Sequence, residues 1–127
     1  VSSVLASPFV FSPGADVPAM ATAPITARQF VAVSGDRNAS TGNVSVAPAA
    51  AGSRALGVAA WDAAAGQLVR VARGGVIKVL AGGAITAGDP VQVGAGGTAV
   101  TATTGVVVGQ AIASALNGGI AQVAFPA

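Results

Sequence analysis

The chain has 127 residues, of which 53% are hydrophobic and only 8% charged, with 18 glycines and a formal charge of +2. Average soluble domains carry about 25% charged residues, and a chain this poor in charge usually hides much of its surface in an assembly. Intrinsic disorder is excluded by the high hydrophobicity, and a disulfide scaffold by the absence of Cys. The cations, Arg28, Arg37, Arg54, Arg70, Arg73 and Lys78, form no dense run, and Tyr is absent, so a nucleic-acid partner is not expected.

Residues 1–24 hold Pro8, Pro13, Pro18 and Pro24, four of the seven prolines, with Phe9 and Phe11 between the first two. Proline at this density forbids regular helix and favours an extended path. The stretch reads as an extended N-terminal arm, and exposed paired aromatics need something to cover them. Pro8, Phe9, Phe11 and Pro13 are therefore the candidate partner-binding residues. The same stretch lacks the basic segment and unbroken apolar run of a signal peptide. No stretch after Asp89 matches a spanning helix, since Pro90, the Gly-rich turns and Asn117 interrupt it. No membrane partner is expected.

From Ile25 onward, short Val-rich segments alternate with turn signals. The candidate strands are 30–34, 44–47, 55–60, 67–72, 76–80, 90–94, 98–102, 106–112 and 120–125. Period-2 apolar patterning at this spacing indicates a small compact all-β domain, a barrel or sandwich. Ala-rich stretches at 47–52 and 63–65 support at most a helical turn, because Gly and Pro limit their length.

The chain also repeats itself. "ITARQFVAVSG" at 25–35 aligns with "ITAGDPVQVGA" at 85–95. Gly57, Gly66, Leu68 and Val71 correspond in turn to Gly109, Gly118, Ile120 and Val123. Two degenerate copies follow, about 25–73 and 85–125, with the difference in length assigned to the loop "DRNASTGN" and with the strand at 76–80 linking the copies. A repeat of this size in only two copies argues for duplication within one domain.

Catalytic candidates are scarce. His, Cys, Glu and Tyr are all absent, which removes the usual general bases and soft metal ligands. The carboxylates are Asp16, Asp36, Asp62 and Asp89, and they lack the spacing of a Ca²⁺ loop. Asp at a turn bonds its own backbone, and that is the expected role of Asp36 and Asp89, which follow Gly35 and Gly88; Asp62 is read as a further turn or structural residue. The Gly-rich stretches lack the Lys and following helix of a phosphate loop. Gly57, Gly66, Gly88 and Gly118 are read as turn or structural residues, with Pro90 stiffening the start of a strand. Lys78 reads as a solvated strand residue. No catalytic residue, cofactor or metal is expected, and the chain reads as no enzyme.

The order "LGVAAWDAAAGQ", "GVIKVL", "AGDPV" and "VGQAI" resembles the capsid cement, or head decoration, proteins of tailed bacteriophages, over about residues 25–125. The resemblance implies a β-rich decoration domain at 25–127 behind the arm. It implies a structural protein that binds the major capsid protein on the outside of an assembled capsid, reinforces it and commonly forms trimers. The site implied is the outer surface of the virion, reached in the host cytoplasm. The alternative is a β-rich virion or cell-surface binding module, contacting a receptor or carbohydrate, with Trp61 as its stacking platform.

Overall fold

The computed structural model describes residues 16–126. Ten strands form: β1 (Val17–Ala21), β2 (Phe30–Gly35), β3 (Val44–Pro48), β4 (Gly57–Ala59), β5 (Leu68–Ala72), β6 (Gly75–Leu80), β7 (Pro90–Val93), β8 (Ala99–Thr101), β9 (Gly109–Ala111) and β10 (Ile120–Phe125). Among the described residues the one helical element is a 3-10 turn at Ala95–Gly97, so the Ala-rich stretches stay non-helical. All nine strands expected from the sequence are present.

The first five strands close into a barrel in the order β1-β3-β2-β4-β5, and the other five form a sheet in the order β6-β10-β9-β7-β8. All the pairings but the closing one correspond. β1 runs antiparallel to β5 as β6 does to β10, β2 pairs β3 as β7 pairs β8, and β4 joins β2 to β5 as β9 joins β7 to β10. Even the isolated bridges match, Ile25 with Ala63 and Ile85 with Ala115. The second sheet is therefore a second barrel with an incomplete seam.

Two boundaries differ from the sequence reading. Val17–Ala21, placed there in the 1–24 arm, is the first strand of the first barrel, with Val17, Ala19 and Ala21 buried. Strand β6, read as a link, is the first strand of the second copy. Pro18 is tolerated in β1 because pairing with β3 begins one residue later, at Ala19, where a missing N–H no longer matters to that ladder. Residues 1–15, with Pro8, Phe9, Phe11 and Pro13, lie outside the described residues.

Alternation does the packing. In β5 and β10 every second residue is buried, Val69 and Val71 in one and Ala121, Val123 and Phe125 in the other. Each fully buried Val contributes about 1.5–3 kcal/mol relative to exposure. One buried cluster fills the first barrel around Val31, Val46, Val69 and Val71. The other fills the second barrel around Val79, Val91, Val93 and Val123. Phe30, Ala49 and Val58 belong to this second cluster although their strands and loops are in the first copy. Phe30 lies 6.2 Å from Phe125, ring centre to ring centre, and ties the two barrels together.

The two copies differ most between their second and third strands. In the first copy residues 36–43 make a loop that satisfies its own backbone: Asn38 Oδ1 accepts from the Ser40 and Thr41 N–H groups, each at 2.9 Å. The second copy has only the short turn at 94–98, and this has a consequence at the seam. In the first barrel β1 meets β3 through three parallel pairs, Ala19 with Val44, Met20 with Ser45 and Ala21 with Val46. In the second, one parallel bridge remains, Ala81 with Ala99. The Leu80 N–H donates instead to the Arg28 carbonyl at 2.9 Å, so a corner of the first copy completes the ladder of the second.

Candidate interaction surfaces

The turn residues singled out from the sequence sit where the chain changes direction. Gly57 is buried in β4, and a Cβ there would run into the Ala72 carbonyl and Val71. Its counterpart Gly109 faces the same obstacle from Ala124 and Val123. Gly66 and Gly118 have positive φ, and their N–H groups donate to the carbonyls of Ala21 and Ala81 at 2.7 and 2.9 Å. Asp62 Oδ1 accepts the Ala27 N–H at 2.7 Å, and the equivalent Ser114 Oγ accepts the Ala87 N–H at 3.0 Å. Asp89 Oδ2 accepts from the Thr86 N–H at 3.0 Å and the Thr101 hydroxyl at 3.1 Å. Gly88 provides the left-handed corner before it, at φ 91°. Pro90 opens β7, followed by buried Val91 and Val93. Gly57, read as a turn residue, instead packs within a strand, as Gly109 does, and the others build corners.

Among the described residues no group of three or more acids, His or Cys is placed to hold a metal ion. Nor does any buried side-chain polar atom lack a partner. Arg73 Nε donates to the Leu56 carbonyl at 2.8 Å, and Lys78 projects from the outer face of β6. Arg70 lies in a separate arrangement on the first barrel. Its guanidinium stands 5.8 Å from the centre of the Trp61 ring and 3.8 Å from Asp16. The Trp61 Nε1–H donates to the Leu68 carbonyl at 3.1 Å. One face of the indole is thus covered by a cation and its polar tip is held by main chain. Trp61 is nonetheless 45% exposed.

The outward-facing side chains supply what the sequence reading missed. Exposed large apolar residues include Val33, Trp61 and Leu68 on the first copy, but Val76, Leu80, Val106, Val107, Ile112, Leu116 and Ile120 on the second. The signal was present in strands such as "GVIKVL", which carry apolar residues on both faces. A second apolar feature is a shallow furrow of about 240 Å³ where the copies meet, lined by Arg54, Ala55, Val106, Val107, Val108, Phe125 and Pro126.

Two copies of a small β-unit, the second with an exposed apolar outer face, define an all-β protein whose singled-out residues are structural. The sequence matches the phage cement protein family over residues 12–125, and the chain belongs to that family. Among curated proteins no match is found. Among solved structures, the head fiber gp8.5 N base of bacteriophage phi29 is similar, with a TM-score of 0.73 and 27% identity. The likeness covers 87% of this chain and 92% of that one. The protein is therefore a phage capsid structural protein, associated with the capsid in the virion, and the family implies a non-enzymatic role.

Proposed function

We propose that the protein is a cement subunit that binds the outer surface of a phage capsid through the major capsid protein, stabilises the shell and acts as a homotrimer. The observation that carries this reading is the tandem-barrel fold shared with a head fiber base over most of both chains. The low charge and the apolar outer surface support it, because such surface is costly unless covered. The arm around Pro8, Phe9, Phe11 and Pro13 is assigned to the capsid side of this contact. No nucleic acid, membrane or cofactor enters the proposal.

The test is co-sedimentation of the purified chain with expanded heads lacking it. Binding, with a rise in the temperature at which the heads come apart, is the expected result. Failure to bind intact heads would overturn the proposal. Deleting residues 1–15 should weaken binding while leaving the barrels folded. A longer deletion would remove β1 and test folding instead. A carbohydrate role for Trp61 predicts glycan binding that Trp61→Ala abolishes, but the Arg70 guanidinium on the ring argues against it.

A further inference from the structure

The exposed apolar residues of the second copy are not scattered. On the outer face of the β6–β10 pair, Leu80 lies directly opposite Ile120, Lys78 opposite Gln122 and Val76 opposite Ala124. The Ile112 N–H donates to the Gln122 carbonyl at 3.0 Å, which brings Ile112 alongside. The Gly119 N–H donates to the Leu116 carbonyl at 2.9 Å, which holds Leu116 next to Ile120. One strip results, with Lys78 as its single charge.

The same face of the first barrel is different in kind. The register places Met20, Leu68, Pro18, Arg70 and Asp16 where the second copy has Leu80, Ile120, Lys78, Gln122 and Val76. Arg70 and Asp16 form an ion pair there. Of the two equivalent faces, only that of the second copy is aliphatic and nearly free of charge.

We infer that this strip, Val76, Leu80, Ile112, Leu116 and Ile120, is the surface through which copies of this chain contact one another. The inference rests on the cement-subunit reading for self-association and adds the place. Size supports it. At exposures of 78% for Leu116, 56% for Val76, 51% for Ile112, 39% for Leu80 and 38% for Ile120, the five side chains present roughly 450 Å² of apolar surface, against about 800 Å² per partner in a standard interface. Interfaces between identical subunits are about 65% apolar, or roughly 500 Å² of that area, so the strip is the right size for one.

Chemistry decides between a second copy and the capsid. A contact formed after both partners have folded and stayed soluble is about as polar as ordinary surface. A permanent contact between subunits is depleted of charge at its centre. With Lys78 the one charge among five aliphatic side chains, and paired with Gln122 between Leu80 and Val76, the strip is closer to the second description. The exposed arginines, all five of them on the first copy or its exit, fit the first.

The experiment compares sedimentation velocity of the wild type, the double variant Ile112→Lys with Leu116→Lys, and the control Leu68→Lys on the equivalent face of the first barrel. Burying two unpaired lysines should weaken association by roughly 100-fold or more, while the control associates like the wild type. Circular dichroism checks that the strands persist, and Ile112→Ser with Leu116→Ser replaces the lysine pair if they do not. A double variant that associates normally would overturn the inference, as would a control that dissociates in its place. Head binding, measured in parallel, separates this inference from the cement reading. A wild type that binds heads as a monomer defeats the self-contact and keeps the cement role. One that self-associates through the strip but ignores heads does the reverse.

Discussion

The two barrels share every strand pairing except the one that closes them. The first is sealed by three parallel pairs between β1 and β3, whereas the second has the Ala81–Ala99 bridge and takes the Arg28 carbonyl onto Leu80 for the rest. The short turn at 94–98 is the reason: residues that would extend β8 along β6 are spent in reversing the chain. Core membership follows the same division, since Phe30 leaves its own barrel to pack with Phe125. Duplication therefore preserved the architecture while making the second copy dependent on the first. The strand ladders and the buried glycines Gly57 and Gly109 are kept in both copies, whereas the seam, the outer face and corner residues such as Arg28 against Gly88 differ.

The largest effect should come from breaking the joint. Phe30 is fully buried, and Phe30→Ala is expected to cost about 3–5 kcal/mol. Because Phe30 fills the second cluster from the first barrel, thermal unfolding should resolve into two steps in place of one. Calorimetry checks this, and a single transition merely shifted downward would show the barrels do not depend on this contact for cooperativity.

A smaller effect tests the equivalence of the copies. Gly57→Ala and Gly109→Ala each push a methyl against a backbone carbonyl and a Val, and overpacking of this kind costs about 1–3 kcal/mol. The two losses should agree within error in denaturant titrations. A clear inequality would mean the second barrel yields where the first does not.

The smallest effect concerns one corner in two versions. Arg28 holds φ 64°, where the second copy places Gly88 at φ 91°, and a side chain in this region is strained. Arg28→Gly keeps the carbonyl that Leu80 needs, and the net gain should be no more than about 1 kcal/mol, since added freedom in the unfolded chain offsets the relief. Gly88→Ala should lose about 1 kcal/mol. Chemical denaturation reads both, and a destabilised Arg28→Gly would show that the arginine side chain holds the corner.

Much of this fold was legible because its signals are local. Val at every second position marked the strands, and Ile25-Thr26-Ala27 against Ile85-Thr86-Ala87 exposed the duplication. Strand β1 escaped because Pro18 lies within it and Pro24 follows it, and because its inward residues, Val17, Ala19 and Ala21, are mostly alanine. Carrying the repeat back to Ala21 and Ala81, with Val17 against Ile77 and Ala19 against Val79, is the signal that would have found it. The incomplete seam was not legible, since the partner of Leu80 lies in a distant corner that no local pattern announces. Of the candidate surfaces, the sequence pointed to the proline-flanked phenylalanines and left the aliphatic strip unread. Residues such as Ile112 and Leu116 look like core until the register turns them outward.

The Arg28 carbonyl on Leu80 also gives the molecule a direction in time. During synthesis the first barrel can complete its hydrogen-bonded ring from its own residues, while the second closes against a neighbour already translated before it. Reversing the order of the copies would leave the later-closing barrel to emerge first with an open seam. A ribosome that delivers the self-sufficient half first keeps that unpaired edge from ever standing alone.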